Sequence, residues 1–526
     1  MVQWLNLGEK LEVNADKFPD KVAVKDDMRT LTFRQYNERA CRLAHGLLSL
    51  GLKDDDRVAV VSQNRVEWME IYAACAKAGL VTVPLNWRLS AQDMTAILDD
   101  SGAKVVIVHE TFVQEIEGIR RGLRKVGHYV FIGPKDKMPW GWSHYEDVVD
   151  KGRPEEPKVK VDPEETWIQL YTSGTTGRPK GVLRSHRSYV AFFLINAIEF
   201  QLHRDDIGMV VMPMCHVNST FHSFVFTYIG ASVYVYPEYN FKPEQMLEAI
   251  DREKVTFISL VPTHYALVLS VPKDVVDRFQ GKSMRTLLCS SAPVLPQTKK
   301  DIMKFFPKAK LFEAYGSTEA GLVTLLRPEE QLTKIGSVGK ECVGSDTIRI
   351  LDDKKRPVPE GEVGEIYSRS PMQFSGYHHL PAKSREAFTE DGYFSAGDMG
   401  RRDKDGYYYI VDRKDNMIIT GGEHVFPTEV EEVLSKHPAI AEVAVIGTLD
   451  EKWGEMVTAV VVLKDGAEAT EEAIIDSTKD VLPAFKRPKK VIFIKADEVP
   501  RTATGKVLHR ELKARFSIMP RLSRRK

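Results

Sequence analysis

The chain has 526 residues, of which 43% are hydrophobic and 9% aromatic, and its 74 lysines and arginines balance 74 aspartates and glutamates. This composition excludes a mainly disordered chain, and the zero net charge excludes recruitment of nucleic acid or an acidic membrane by an overall field. The five cysteines are scattered and never form a Cys-x-x-Cys pair, which excludes a disulfide scaffold and a zinc site. They are typical of free thiols in a reducing compartment.

The termini and the apolar runs favour a cytoplasmic protein. The first residues lack the basic region and apolar core of a signal peptide, and nowhere do about eighteen apolar residues follow one another. We therefore expect no integral membrane segment and no nucleic-acid partner. Homodimerisation is left open.

Short apolar strands alternate with helical patterns through the first 330 residues, as in a parallel sheet that helices cover on both faces. A helix is predicted at 67–79, and the chain length allows about three to four folding units. The strands are predicted at 57–62, 80–84, 104–108, 209–212, 232–236, 256–260 and 286–289.

The pattern changes twice after residue 330. Glycines and prolines punctuate short strands in 331–412, and a new alternation of helices and strands begins after a charged stretch at 412–416. The predicted fold class is α/β, with a large N-terminal domain, 1–414, and a small, mobile α+β C-terminal domain, 415–526. The N-terminal domain is expected to contain two stacked α/β subdomains, 1–165 and 166–330, and a β-rich subdomain, 331–412.

A loop suited to phosphate follows the apolar strand predicted at 167–170. Residues 171–181 read Tyr-Thr-Ser-Gly-Thr-Thr-Gly-Arg-Pro-Lys-Gly. The glycines let backbone amides turn toward an anion, the hydroxyls donate to phosphate oxygens, and Lys180 supplies a cation. The loop is not a Walker A motif, because the fifth position after Gly174 is Pro179.

This string resembles the signature loop of the adenylate-forming superfamily, which contains acyl-CoA synthetases, peptide-synthetase adenylation domains and beetle luciferases. Further matches extend to Lys506 and so cover most of the chain. The resemblance implies that the loop holds the β- and γ-phosphates of ATP while pyrophosphate leaves. The residues it implicates are Thr172, Ser173, Gly174, Thr175, Thr176, Gly177 and Lys180.

Two later segments, 290–293 and 312–321, resemble the nucleotide site of the superfamily, and we call them the adenine segments. Tyr315 offers a ring face on which adenine can stack, Thr318 can donate to the α-phosphate, and Glu319 is an oxygen ligand suited to Mg²⁺. The implied contacts to adenine or AMP are Ser291, Ala292, Pro293, Glu313, Ala314, Tyr315, Gly316 and Thr318.

The ribose motif of the superfamily is matched by 391–400, where the carboxylate of Asp398 can accept both ribose hydroxyls. By the same resemblance Arg413 lies on the ribose and phosphate side, and Asp415 occupies the hinge position.

The segment 500–506, Pro-Arg-Thr-Ala-Thr-Gly-Lys, resembles the C-terminal catalytic loop, with Lys506 as the cation for adenylation. The family rotates its small domain between its two half-reactions. Gly421, Gly422 and Glu423 resemble the loop that then lines the coenzyme A channel.

The acyl pocket is expected at His216, in 213–218, and at Phe221. Members of the superfamily that activate amino acids place an aspartate near this point, whereas residues 211–226 contain no acid. His216 is therefore predicted to gate a pocket for a fatty or aromatic acid and to act in catalysis.

The predicted activity is an acid:CoA ligase that forms AMP and uses ATP, Mg²⁺ and coenzyme A. Two alternatives stay open: an enzyme that loads the acyl group onto a carrier protein, and a non-catalytic nucleotide sensor. Lys180, Glu319 and Lys506 are all present, which disfavours the sensor. The sequence does not define the chain length or ring of the acid.

One segment departs from the family pattern. After Gly376 and Tyr377, relatives usually read Asn-Pro-Glu-x-Thr, whereas residues 380–384 read Leu-Pro-Ala-Lys-Ser. We expect this segment to be peripheral to the nucleotide.

Overall fold

The computed structural model describes residues 5–172, 179–237, 240–292, 294–501 and 507–517. The chain divides into two compact units. The first unit comprises Met1–Ile348 and Ser368–Ala396, and the second comprises Arg349–Tyr367 and Gly397–Lys526. No helix in the described ranges combines the length and apolar character needed to cross a membrane.

The strands are mostly short. In chain order they are β1 (Val22–Lys25), β2 (Thr30–Thr32), β3 (Arg57–Val61), β4 (Val81–Pro84), β5 (Val105–His109), β6 (His128–Ile132), β7 (Ser143–His144), β8 (Thr166–Thr172), β9 (Lys180–Ser185), β10 (Ile207–Val210), β11 (Ser232–Val235), β12 (Phe257–Leu260), β13 (Thr286–Ser290), β14 (Lys310–Ser317), β15 (Gly321–Leu326), β16 (Lys340–Glu341), β17 (Arg349–Leu351), β18 (Gly364–Tyr367), β19 (Gly376–Tyr377), β20 (Asp398–Arg402), β21 (Tyr408–Arg413), β22 (Ile418–Thr420), β23 (Glu423–Val425), β24 (Ile440–Asp450), β25 (Gly454–Leu463) and β26 (Lys490–Phe493).

The α-helices lie between these strands. In chain order they are α1 (Leu7–Lys17), α2 (Phe33–Ser49), α3 (Val66–Ala78), α4 (Ala91–Ser101), α5 (Val113–Ile119), α6 (Tyr145–Lys151), α7 (His186–Glu199), α8 (Val217–Ile229), α9 (Pro243–Glu253), α10 (Pro262–Leu269), α11 (Lys273–Arg278), α12 (Pro296–Phe305), α13 (Pro381–Glu386), α14 (Pro427–Leu434), α15 (Glu471–Asp476) and α16 (His509–Phe516).

The local sequence explains where several helices begin and end. Asn6 and Thr32 cap α1 and α2 through capping boxes, and Pro243 takes the first position of α9. Helix α3 ends at Gly79, whose φ of +67° suits glycine. A Cβ at Gly79 would lie 2.4 Å from a carboxylate oxygen of Asp54.

Two large sheets organise the first unit. The order β16-β15-β14-β13-β12-β10-β11-β1-β2 defines a nine-stranded sheet, and β19-β9-β8-β4-β3-β5-β6-β7 defines an eight-stranded sheet. Strands β14 to β1 in the first order, and β8 to β7 in the second, run parallel. Antiparallel strands lie at both edges of the nine-stranded sheet and at the β19 edge of the eight-stranded sheet. This is the doubly wound α/β architecture that the alternation predicts.

Each large sheet draws strands from both sides of residue 165. Strands β1 and β2 join the nine-stranded sheet, and β8 and β9 join the eight-stranded sheet. The compact units also assign β17 and β18 together with the C-terminal strands. The predicted domain and subdomain boundaries therefore stay predictions.

An aromatic core joins the two large sheets. The Trp167 ring of β8 makes edge contacts with Tyr72 of α3 and Phe224 of α8, with ring centres 6.0 and 5.3 Å apart. The indole nitrogen of Trp167 also donates to the carbonyl of Tyr72 at 2.9 Å. Burial of such rings stabilises the position of α3 and α8 between the sheets.

The second unit has two small sheets, one formed by its strands up to Arg413 and one in the C-terminal part that follows Arg413. One has the order β17-β18-β20-β21, and the other has the order β23-β22-β25-β24, with β26 paired to β25. Val430 of α14 and Val445 of β24 are buried in the core of the C-terminal part. The predicted helix at Pro427 is confirmed as the first residue of α14.

A buried histidine gives the first unit a pH-dependent stability. His186 is 1% exposed and stacks on Trp167, and burial lowers its pKa to about 3. Because the unfolded chain then binds the proton more readily, this stability is present above pH 6.5 and is lost as the pH falls toward 3. At pH 5 the loss is about 2 kcal/mol for such a shift.

We expect His186→Phe to remove that loss. Chemical unfolding at pH 7.5 and pH 5 should show a pH-dependent decrease in stability that is smaller in the variant by about 2 kcal/mol. His203→Gln, at an exposed position, is the matched control. An identical pH slope in wild type and His186→Phe would contradict the prediction.

Candidate active site

The hydroxyl-rich loop connects two paired strands. Thr172, the last residue of β8, pairs with Lys180, the first residue of β9, so the chain leaves and re-enters the sheet at adjacent positions. The Nζ atom of Lys180 lies 5.1 Å from the centre of the Tyr377 ring. The other predicted phosphate ligands lie outside the described residues; they are Ser173, Gly174, Thr175, Thr176 and Gly177.

The two predicted adenine segments lie side by side. Ser290, at the end of β13, is in register with Ala314 of β14. Beyond it, Ser291 has a φ of +71° and, with Ala292, is exposed, while Pro293 lies outside the described residues. Since ligands of α/β sheets bind at the carboxyl ends of parallel strands, this edge is the expected place for a nucleotide.

The backbone after Tyr315 makes a tight turn. Tyr315 is half-buried, and the pairing of β14 with β15 shifts register between Tyr315 and Gly316. A Cβ at Gly316 would lie 2.1 Å from the carbonyl oxygen of Gly321, so only glycine fits. The turn places Thr318 and Glu319 directly after the predicted adenine segment.

The side chain of Glu313 is directed away from that edge. It is 7% exposed and forms an ion pair with the buried Lys299 of α12. Burial raises the pKa of Glu313, and Lys299 opposes this effect. A role of Glu313 in nucleotide binding therefore falls to its backbone, while its side chain fixes α12 to β14.

Glu319 is held by two contacts from the chain around β19. The hydroxyl of Tyr377 donates to its Oε1 at 3.0 Å, and the amide of Phe374 donates to its carbonyl at 2.8 Å. Tyr377 therefore lies between Lys180 on one side and Glu319 on the other. The side chain of Tyr377 therefore connects the β8–β9 hairpin, which carries the predicted phosphate loop, with Glu319, the predicted metal ligand.

The segment 380–384 supports Tyr377, and the expectation that this segment is peripheral to the nucleotide stays a prediction. Ser384, in α13, accepts a hydrogen bond from the amide of Tyr377 at 2.8 Å. It is thus two contacts from Glu319. Sequence reasoning missed this role because the contact between Tyr377 and Glu319, on which it depends, joins residues that are 58 positions apart.

Residue Arg184 was also missed. Its Nη1 donates to the carbonyl oxygens of Thr318 and Glu319 at 3.1 and 3.3 Å. The available signal was a charged residue in the apolar strand that follows the phosphate loop.

The predicted acyl-pocket histidine precedes α8. Burial and the nearby Arg88 lower the pKa of His216 to about 4, so its ring is neutral at pH 7. Its Nε2 has no hydrogen-bond partner among the described residues. A neutral ring can shape or gate a pocket, but it supplies no positive charge to a carboxylate.

One neighbour of His216, Asn218, links the acyl and adenine segments. Asn218 donates to the Ser290 hydroxyl at 2.8 Å and accepts from the Ser259 hydroxyl at 3.2 Å. Phe221 is 5% exposed and stacks on Phe192 with ring centres 3.8 Å apart. The structure thus fixes Phe221 within an aromatic cluster, and its contact with an acyl chain stays a prediction.

The predicted ribose residues belong to the second unit. Asp398 begins β20 and Arg413 ends β21, and the two residues are in register. The Nε of Arg413 lies 3.0 Å from Oδ1 of Asp398, which is 8% exposed. The sequence motifs, 15 positions apart, therefore meet as an oriented carboxylate beside a guanidinium.

The predicted hinge residue lies in a short helical turn, Lys414–Asn416. Asp412, just before the turn, accepts hydrogen bonds from the amide of Thr428 at 3.0 Å and from Asn416 at 3.0 Å. These contacts connect β21 with the start of α14 on the other side of Asp415.

The predicted channel glycines form a turn between β22 and β23. Gly421 and Gly422 have φ values of +59° and +87°, and Glu423 is exposed. A Cβ at Gly421 would lie 2.8 Å from the Trp453 ring, so a side chain would crowd this turn. The predicted catalytic Lys506 lies outside the described residues.

A metal site made only by protein is not found in the described parts of the chain. No group of three or more His, Cys, Asp or Glu side chains there could hold a metal ion.

Comparison with known proteins adds to this geometry. The family model described as AMP-binding enzyme matches residues 11–378, and the model described as AMP-binding enzyme C-terminal domain matches residues 429–506. The chain thus has the large N-terminal α/β domain and small C-terminal domain of these proteins.

Relatives match along nearly the full chain. An indoleacetate–CoA ligase of Aromatoleum aromaticum is 33% identical, over 98% of this chain and 99% of the relative. A long-chain-fatty-acid–CoA ligase of Mycobacterium tuberculosis is also 33% identical, over 97% of this chain and 99% of the relative. The structure of o-succinylbenzoate CoA synthetase from Bacillus subtilis, in complex with its acyl-adenylate intermediate, aligns with a TM-score of 0.83 and 28% identity, covering 98% and 99% of the two chains.

Proposed function

The chain belongs to the AMP-binding enzyme family, and we propose that it is an acid:CoA ligase that forms AMP from ATP. The observation that carries the proposal is the path from Lys180 through Tyr377 to Glu319. It joins the hairpin that carries the phosphate-binding loop to the turn that follows the adenine segment. A site that positions a triphosphate next to an acid is what adenylation requires.

The reaction has two steps. An oxygen of the substrate carboxylate attacks the α-phosphorus of ATP, and the bond to the β-phosphate oxygen breaks to release pyrophosphate. The thiolate of coenzyme A then attacks the carbonyl carbon of the acyl-AMP, and AMP leaves with the bonding electrons. The thiol proton passes to solvent.

The residues of the first unit would bind and orient ATP. Thr172, Lys180 and the intervening hydroxyls would hold the β- and γ-phosphates. Tyr315 would stack on adenine beside Ser291 and Ala292, and Thr318 would donate to the α-phosphate. The carboxylate of Asp398 and the guanidinium of Arg413 would bind the ribose side.

Magnesium fits the donors that are present. Tyr377 orients the Glu319 carboxylate, and one carboxylate together with phosphate oxygens is a donor set that Mg²⁺ prefers. When bound, the ion would neutralise charge on the phosphates of ATP. Glu319 is the residue of this chain that would hold it.

The C-terminal residues are assigned on their motifs. Lys506 would stabilise the negative charge that develops at the α-phosphate, and Asp415 would be the hinge about which the small domain turns. Gly421, Gly422 and Glu423 would then line the path of the pantetheine arm. ATP and coenzyme A as substrates favour a cytoplasmic location.

The substrate class is proposed from the chemistry around α8. His216 is neutral and Phe221 lies in an aromatic cluster, so the segment suits the apolar tail of a medium- or long-chain fatty acid or of an aromatic acid. The named relatives act on acids of both kinds. His216 would gate this pocket.

The proposal is tested by release of AMP from ATP, Mg²⁺ and coenzyme A with a panel of short, medium, long and aromatic acids. We expect a stoichiometric acyl-CoA product with at least one apolar acid. Acyl-AMP that is transferred only to a carrier protein would overturn the choice of free coenzyme A. ADP and orthophosphate as products would overturn the reaction itself.

Asp398→Asn is expected to weaken ATP binding. Hydrogen bonds to a charged group contribute about 1.5–3 kcal/mol, so the KM for ATP should rise about 10- to 100-fold. Pyrophosphate exchange at varied ATP measures the effect, and Asp465→Asn, at an exposed loop position, is the control. An unchanged KM for ATP would remove Asp398 from the ribose site.

A further inference from the structure

Arg184 is a buried cation that neither the sequence motifs nor the proposed chemistry uses. It lies on β9, four residues after Lys180, and is 0% exposed. Val182, two residues earlier on the same face of the strand, is also buried and is apolar. Burying a charge that forms no ion pair is costly, and the charge of the Glu319 carboxylate offsets only part of the effect of burial on the pKa of Arg184, so an arginine here calls for a reason beyond packing.

The guanidinium makes polar contacts with one short segment. Nη1 donates to the carbonyl oxygens of the consecutive residues Thr318 and Glu319 at 3.1 and 3.3 Å. The Nε and Nη2 atoms have no hydrogen-bond partner among the described residues. The contacts of Arg184 are therefore concentrated on the turn between β14 and β15.

Two aromatic rings flank the guanidinium of Arg184. The Cζ atom lies 5.3 Å from the centre of the Tyr189 ring and 5.1 Å from that of Phe221. Such cation–π contacts hold a guanidinium in place when water is excluded. Burial lowers the pKa of Arg184 to about 10, so the side chain is still a cation at neutral pH.

The contact joins the two large sheets. Arg184 belongs to the eight-stranded sheet, whereas Thr318 and Glu319 lie in a turn of the nine-stranded sheet. Tyr377, also from the eight-stranded sheet, holds the Glu319 side chain through its hydroxyl. Arg184 thus holds the backbone of this turn and Tyr377 holds its carboxylate.

We propose that Arg184 is a positioning residue, which fixes the Thr318–Glu319 turn so that Glu319 meets the metal of MgATP and Thr318 meets the α-phosphate. The inference rests on the proposed function, because it assigns the turn to MgATP. A fork of two N–H groups on a rigid plane suits two neighbouring carbonyls better than an ammonium does. Lysine at this position should therefore restore the charge but only part of the geometry.

The test measures the Kd for MgATP by calorimetry, which should rise in Arg184→Met, and acid-dependent pyrophosphate exchange in wild type, Arg184→Met and Arg184→Lys at varied MgATP and varied free Mg²⁺. In Arg184→Met we expect at least a tenfold increase in the KM for MgATP and in the Mg²⁺ concentration for half-maximal rate. Arg184→Lys should recover part of both shifts. Arg184→Met with wild-type values for both would overturn the proposal.

A variant of a second arginine distinguishes a general loss of stability from the loss of a positioning contact. Arg327 donates to Glu199 at 2.8 Å in the same unit, outside the described nucleotide segments. Arg327→Met should lower the thermal stability without changing the Mg²⁺ midpoint. If it shifts that midpoint as much as Arg184→Met does, the effect is structural and the proposal fails.

A combined variant tests whether Arg184 acts through Glu319. In a Glu319→Gln background, adding Arg184→Met should produce little further change in the Mg²⁺ midpoint, since the residue it positions is already altered. A further tenfold increase in the Mg²⁺ midpoint would show that Arg184 does not act through Glu319. If instead the wild-type enzyme shows no exchange with any acid, the proposed function fails, whatever Arg184 does.

Discussion

Replacing Lys506 with alanine is expected to lower the rate of acyl-AMP formation by about 10²- to 10³-fold, the usual loss when one stabilising donor is removed from a charged transition state. Lysine is a compact cation on a flexible stem, which suits the charge that develops between the carboxylate and the α-phosphate. Thioester formation from supplied acyl-AMP should keep close to the wild-type rate, because that step builds no pentavalent phosphorus. The two half-reactions are measured separately, by pyrophosphate exchange and by thioester formation.

Lys464→Ala is the matched control for Lys506→Ala, since Lys464 is an exposed lysine of the same C-terminal part. It should leave both half-reactions unchanged. An equal loss in both half-reactions of Lys506→Ala would show that Lys506 is not specific to adenylation.

Glu319→Gln is expected to lower the rate of adenylation by about 10²-fold, because it removes a charge placed to stabilise the metal and the phosphates. The substitution keeps the side-chain size and an oxygen that can accept from Tyr377. The loss should therefore come from the charge rather than from a displaced turn. Pyrophosphate exchange at increasing Mg²⁺ measures it, and high Mg²⁺ should recover part of the rate.

Glu329→Gln controls for the removal of a carboxylate at an exposed position of the same unit. It should retain the wild-type Mg²⁺ dependence. If Glu319→Gln also retains both the wild-type rate and the wild-type Mg²⁺ midpoint, Glu319 is not the metal ligand.

Much of the fold could be predicted from periodicity and from glycine and proline positions. The strand predicted at 57–62 is Arg57–Val61, and the helix predicted at 67–79 is Val66–Ala78, which ends at Gly79 as expected. These elements are confirmed because their signals are local. The sheets to which β1, β2, β8 and β9 belong could not be predicted, because strand partners depend on contacts between residues far apart in the chain.

The proximity of some candidate residues could be predicted from the sequence motifs, while the roles of these residues stay predictions. The register of Ser290 with Ala314 brings the two predicted adenine segments together, and Asp398 meets Arg413. Tyr377 and Arg184 were missed because each acts through long-range contacts to the Thr318–Glu319 turn. No local pattern marks such a contact.

Adenylation by this chain is tested most directly by exchange of labelled pyrophosphate into ATP, in the absence of coenzyme A, with wild-type enzyme, Mg²⁺ and the acid panel. Formation of acyl-AMP predicts exchange that depends on both the acid and Mg²⁺ and that Lys506→Ala nearly abolishes. Exchange that is absent with every acid, or release of ADP and orthophosphate in its place, would contradict adenylation of a carboxylate by this chain.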